Sequence, residues 1–199
     1  VPLCDYCIEQ IGGLNCECRP TDARLGWFDK SCTQILTDTA WSDLDYLIID
    51  MPPGTGDIQL SLAQTVAVRG AVIVTTPQDS ALSDARKGSE RCKKVGVPVL
   101  GVVENMSVHV CSECGHAEAI FGSGGGEALA RDDGVDVMGR LPLDIAIRQQ
   151  TDSGVPVVAS NAYPQLQEAY AELARGVHAQ VLAQEANADA APAISVEDD

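Results

Sequence analysis

Three short apolar runs, rich in β-branched residues and each ending abruptly in polar or turn-forming residues, together with a more mixed fourth segment, constrain the fold of this 199-residue chain more than any other feature. Leu47-Ile48-Ile49 stops at Asp50, and Ala71 to Thr75 stops at Thr76-Pro77-Gln78-Asp79. Val97 to Val103 runs into Glu104-Asn105-Met106-Ser107, and Val135 to Leu141 into Pro142-Leu143-Asp144. Runs of this length and composition are expected to be strands of a parallel sheet buried on both faces. The spans between them carry helical periodicity: Ile58, Leu60, Leu62 and Val66 in one, and Leu82, Ala85, Ser89 and Cys92 along one stripe of the next. Strand, helix and strand at this spacing imply right-handed crossovers and a doubly wound, mostly parallel α/β sheet with helices on both faces. Such sheets bind ligands beyond the carboxyl ends of their strands.

The loop after the first run is the first place to look. Asp50 stands at the expected strand tip and is followed by Met-Pro-Pro-Gly-Thr-Gly-Asp57. A carboxylate there suits the water shell of a magnesium ion, while Thr55 and the amides freed by Gly54 and Gly56 suit a phosphate. The same residues also make an ordinary strand-ending turn, and this segment alone does not choose between the two. The glycine run at Gly122, Gly124, Gly125 and Gly126 is followed by Glu127-Ala128 rather than the Lys-Ser/Thr of a P-loop. It is expected to be a turn that opens a helix.

The eight cysteines fall mostly in pairs: Cys4/Cys7, Cys16/Cys18 and Cys111/Cys114, with Cys32 and Cys92 alone. Pairing at this spacing points to thiolate ligands in a reducing cell rather than to a disulfide framework. In Cys111-Ser-Glu-Cys114-Gly115 two thiolates converge on one point, which is half of a four-thiolate site. The other half could come from His109 and His116, from the amino-terminal cysteines, or from the same pair of a second subunit across a two-fold axis. Residues 1–31 show no strand or helix pattern and are expected to form an atypical cysteine-containing leader, in which Cys4, Cys7, Cys16 and Cys18 could make a metal knot. Cys92, on a helical stripe, is expected to be a small core residue.

A net charge of −16 argues against a non-specific nucleic-acid binder, which needs a basic face. Part of the excess lies from Gln184 onward, where an Ala-rich segment carries five acids and no base, and residues 184–199 are expected to be a disordered acidic tail. No apolar run approaches a membrane span, and the amino terminus lacks signal-peptide order, so a cytoplasmic location is expected. Pro164 is expected to start a long helix with Leu166, Tyr170, Leu173, Val177 and Val181 on one stripe, His178 lying on its polar side.

Taken together, six segments resemble one family. They are Leu44-Asp-Tyr-Leu-Ile-Ile-Asp-Met-Pro-Pro-Gly-Thr-Gly-Asp57, Gly70-Ala-Val-Ile-Val-Thr-Thr-Pro-Gln-Asp79, Val97-Pro-Val-Leu-Gly-Val-Val-Glu-Asn-Met-Ser107, Cys111-Ser-Glu-Cys114, Ile120-Phe-Gly122 and Gly139-Arg-Leu-Pro-Leu-Asp144. From about Thr37 to Ala183, residues 32–183 being taken as the domain, the chain is similar to the Mrp (ApbC-like) iron–sulfur cluster carriers. These are P-loop ATPases related to the MinD/ParA and ArsA group.

The resemblance implies a homodimer that binds ATP with Mg2+ and holds a [4Fe–4S] cluster between subunits through Cys111 and Cys114 of each. The cluster would come from scaffold assembly proteins and pass to apo iron–sulfur proteins. It also implies that Asp50 is the Walker B acid and that Pro53, Gly54, Thr55, Gly56 and the catalytic Asp57 form the γ-phosphate switch. Asn105 would read the adenine ring, with Pro142 and Asp144 beside the base. The 199 residues depart from the family in holding no Gly-Lys-Gly-Gly-Val-Gly-Lys-Ser/Thr loop and no second Asp-bearing strand before Asp50. The expectation is therefore a P-loop NTPase-type domain truncated at its amino terminus, from a truncated or misread gene or one half of a split protein, with poor hydrolysis by itself. Two other functions fit the same residues: a non-catalytic metal-binding or dimerisation module, binding zinc or an iron–sulfur centre without nucleotide, and a structural zinc site closed by Cys4, Cys7, Cys111 and Cys114.

Overall fold

The computed structural model describes residues 36, 38–40, 44–51, 62–63, 66–111 and 113–189. The chain divides into two units, Val1–Leu47 and Ile48–Asp199. In the first, Leu36 and Asp38 have helical backbone, and residues 44–47 are irregular. The leader cysteines Cys4, Cys7, Cys16 and Cys18, and Cys32, lie outside the described residues.

In the second unit Leu62 and Ala63 have helical backbone while Ile58 and Leu60 of the expected stripe lie outside the described residues, and from Ala71 the elements run in order. Strand β1 is Ala71–Thr75, helix α1 Asp79–Lys94, strand β2 Val99–Glu104 and strand β3 His109–Val110. Strand β4 is Ala117–Glu118, helix α2 Gly125–Asp133, strand β5 Val137–Arg140 and helix α3 Ile145–Asp152. A 3-10 turn at Val157–Ala159 leads to helix α4, Pro164–Asp189. Strands β1, β2 and β5 form a parallel sheet in the order β1-β2-β5, and β3 and β4 form a separate antiparallel hairpin.

Register decides which face each helix covers. Val102 pairs with Ile73 and Val137, and these residues join Leu82 of α1 and Leu129 and Ala130 of α2 in the main core. Val103 pairs with Gly139 and so faces the other way; a Cβ on Gly139 would stand 3.6 Å from Leu173 of α4. Helices therefore cover both faces, as a doubly wound sheet requires. Cys92 packs against the main core, as the stripe predicts, and burial pushes its thiol pKa up. A second cluster, Ala146, Val157 and Leu166, seats α3 and the 3-10 turn on the start of α4.

Two expectations change. Leu47-Ile48-Ile49 is not a buried strand: residues 44–51 are irregular, and Ile48 is 91% exposed. A strand persists only where a neighbour satisfies its backbone groups, and among the described residues β1 pairs with β2 alone, so its other edge stays open and residues 44–51 are laddered to no strand. The same open edge leaves Val74 61% exposed. At the other end α4 continues past Gln184 to Asp189, because Ala, Gln and Glu are strong helix formers whether or not a core lies beneath them. Among the described residues no helix is long and apolar enough to cross a membrane.

Candidate functional site at the carboxyl edge of the sheet

The three parallel strands end side by side at Thr75, Glu104 and Arg140, and the loops that leave them are laced together. Asn105 donates its N–H to the Thr75 carbonyl at 2.7 Å, and Leu141 donates to the Glu104 carbonyl at 2.9 Å. Beyond the last strand residue the pairing continues: the Ser107 N–H and hydroxyl both donate to the Leu141 carbonyl, at 3.0 and 3.1 Å, and Leu143 donates to the Val108 carbonyl at 2.8 Å. Asn105, Pro142 and Asp144, three of the residues expected to surround a nucleotide base, are thus on adjoining loops at one sheet edge. The Asn105 side chain accepts the Met106 N–H at 2.9 Å. Asp144 caps α3 by accepting the Ala146 N–H at 2.7 Å, which fixes the loop from Leu141 onward.

Asp50 is described and exposed but lies in irregular chain outside the sheet. Pro53, Gly54, Thr55, Gly56 and Asp57 lie outside the described residues.

The second part of the site is the β3–β4 hairpin. It is short because Cys111 and His116 close it: Cys111 donates to the His116 carbonyl at 2.9 Å, and Gly115 donates to the Cys111 carbonyl at 2.9 Å. Gly115 has φ +69, a left-handed conformation that a side chain would strain, which is why a glycine follows the second cysteine. Hydrogen bonding from the backbone N–H groups of Cys114 and Glu113, and from the Cys114 thiol, lowers the Cys111 thiol pKa from its ordinary value. A sulfur so surrounded is prepared to carry negative charge, as a thiolate ligand must. Cys114 is exposed and Cys111 partly exposed, so the pair lies at the protein surface.

The histidines do not complete this half-site. The His109 ring is engaged by the Leu143 carbonyl at 3.1 Å, and among the described residues no three His, Cys, Asp or Glu side chains gather as a metal site would require. His178 is exposed, in agreement with its place on the polar side of α4.

Sequence reasoning passed over one residue. Glu104 ends an otherwise apolar strand and is only 2% exposed; its carboxylate accepts the Gly126 N–H at the start of α2, at 2.7 Å, and lies 3.8 Å from Arg140. Arg140 also pairs with Glu127. An acid at the end of the run Val97 to Val103 was the available signal, since a buried carboxylate needs partners. Glu104 and Arg140, with Ser107, Val108, Ser123, Gly124, Glu127 and Pro142, line an open cavity of about 640 Å³ beside the hairpin. The glycine run is the expected turn: Gly124 caps α2 in a left-handed conformation, and Gly125 and Gly126 let the helix lie against Leu82 and Glu104.

Comparison with known proteins identifies the family. Residues 23–178 match the family model described as ParA, NUBPL iron-transfer P-loop NTPase. An iron-sulfur cluster carrier protein of Pseudomonas fragi is 62% identical over 141 residues, which is 71% of this chain and 49% of that protein. One from Escherichia coli K12 is 55% identical over 152 residues, 76% of this chain and 41% of that protein. Among solved structures, a nucleotide-binding protein from Archaeoglobus fulgidus in complex with ADP is similar with a TM-score of 0.57 at 36% identity, covering 65% of this chain and 54% of that one. The chain thus spans about half the length of the relatives it matches. With its parallel sheet, carboxyl-edge loops and paired thiols accounted for, the chain belongs to the ParA family of P-loop NTPases, in its NUBPL iron-transfer group.

Proposed function

We propose that this chain is an ATP-dependent iron–sulfur cluster carrier. Its cargo is a [4Fe–4S] cluster held by Cys111 and Cys114 of two copies, which it receives from scaffold assembly proteins and delivers to apo iron–sulfur proteins in the cytoplasm. The observation that carries the reading is the Cys111–Cys114 turn, whose N–H groups favour the thiolate and whose two surface sulfurs form half a ligand set. Two such halves facing across a two-fold axis supply four thiolates, the number a cubane cluster takes. Carrying, rather than fixed storage, suits a site at the tip of a short exposed hairpin, from which an acceptor thiol can reach the iron.

Nucleotide would engage Asn105, Pro142 and Asp144 at the base, on the other loops of the same edge, and the family resemblance assigns Asp50, Asp57 and the segment Pro53, Gly54, Thr55 and Gly56 to the phosphates. Asp50 is an exposed carboxylate, a hard oxygen donor that suits Mg2+, and the ion would neutralise phosphate charge there. ATP turnover by these 199 residues alone is expected to be slow, because no glycine-lysine phosphate loop is among them.

Anaerobic reconstitution with iron and sulfide tests the reading. The expected product is a brown dimer with one four-iron cluster per two chains, and Cys111→Ser abolishes both colour and dimer. One zinc per monomer with no dimer overturns the carrier assignment and leaves a structural metal site instead.

A further inference from the structure

We propose that His109 is a positioning residue that locks the cysteine hairpin to the Leu141–Asp144 loop, so that occupancy of this loop governs how firmly the hairpin holds its cargo. The inference rests on the carrier reading and adds the route by which one end of the site reports to the other. Its basis is the seam that continues beyond the sheet. After β2 and β5 end, residues 105–109 remain paired alongside residues 141–143, and the last link is the only one a side chain of β3 makes to that loop among the described residues. His109 forms an isolated parallel bridge with Leu143, and its Nδ1 lies 3.1 Å from the Leu143 carbonyl. A carbonyl only accepts, so Nδ1 carries the proton and donates.

Position makes this bond consequential. Leu143 lies between Pro142 and Asp144, and Asp144 is anchored by its cap on α3, so the loop cannot shift at one residue without moving its neighbours. His109 is two residues before Cys111, in a strand of only two residues, so the hairpin has little other pairing to fix its direction. Between Asn105 and Ser107 the chain turns through Met106 at φ +55, the one non-glycine residue with positive φ among the described residues. A side chain held there is strained and persists where flanking contacts over-determine it. Release of the His109 clasp removes the contact nearest the hairpin, which is then held to this loop only through the pairing of Ser107 and Val108. Coupling of two sites through such an element is reciprocal and typically amounts to a factor of about 5–150.

Three chains test the proposal: the natural one, His109→Ala, and His109→Asn, whose amide N–H can replace the Nδ1 donor. In the metal-free proteins, amide hydrogen exchange at Cys111 and Gly115 is expected to quicken in His109→Ala and to stay near the natural rate in His109→Asn, with melting temperatures unchanged. In the reconstituted proteins, cluster loss to a ferrous chelator should be at least about fivefold faster in His109→Ala and within about twofold of natural in His109→Asn. Saturating ADP should change the loss rate of the natural and His109→Asn chains and leave His109→Ala unaffected. Equal exchange in all three chains overturns the clasp. An ADP effect that survives His109→Ala, or a natural chain indifferent to ADP, overturns the coupling. A chain that takes up no cluster ends the carrier reading, while the metal-free exchange measurement still decides the clasp.

Discussion

Glu104 and Gly126, 22 residues apart in sequence, meet at the carboxyl edge of the sheet, where the buried carboxylate accepts the first-turn N–H of α2 at 2.7 Å. This bond joins the strand that leads to the cysteine hairpin with the helix that follows it, and it explains why a glycine is needed at 126. A Cβ there would come within 2.9 Å of the carboxylate and 3.0 Å of the Glu104 Cβ. Glu104→Ala should leave the Gly126 N–H without its acceptor and cost about 1–3 kcal/mol. Glu104→Gln, which keeps an acceptor, should cost less. Urea denaturation of the three chains checks the order.

Leu129 is fully buried at the centre of the core between α1, α2 and the sheet. Leu129→Ala should cost about 2–5 kcal/mol, the range for a leucine truncated where surrounding groups cannot collapse. The measurement is the shift in denaturation midpoint at constant slope.

The thiols should separate by pH. Hydrogen bonds from the Cys114 and Glu113 amides lower the Cys111 pKa, and burial raises that of Cys92. A lowered pKa means more thiolate at a given pH, so alkylation of Cys111 should begin at lower pH than that of an ordinary thiol, and that of Cys92 at higher pH. Cys114→Ala, which removes the side-chain donor, should move Cys111 only part of the way back, because the two amide donors remain. Peptide-resolved mass spectrometry after pulsed labelling reads all of these.

Lys93 ties the end of α1 to the end of α2 through Asp133, at 2.7 Å, and the Asp133 side chain is only 6% exposed. Asp133 Oδ2 is already buried without a donor among the described residues, so Lys93→Met should lower the melting temperature by leaving the whole carboxylate unpaired. The hydrogen bond to Asp133 raises the Lys93 pKa in the folded chain. A raised pKa for a base contributes stability that is complete below its unfolded value and is lost as pH climbs through the folded one. The difference between the natural chain and Lys93→Met should therefore be constant near neutrality and shrink only in strongly alkaline solution.

Local chemistry alone determined much of this protein. Strand β1 falls on the apolar run Ala71 to Thr75, and α1 buries the stripe through Leu82 and Ser89, because period and propensity act within a few residues. The same holds for the Cys111-x-x-Cys114-Gly turn, whose direction follows from one glycine and two amides. Tertiary structure decided what depends on a distant neighbour. Whether Leu47-Ile48-Ile49 is a strand turns on a partner for its backbone, and no local pattern supplies one. Glu104 became a helix clamp, and His109 the donor to a carbonyl 34 residues away, only when the parallel register brought β5 and the start of α2 beside β2. Those pairings are set by packing of the whole sheet, and a linear sequence carries no direct record of them.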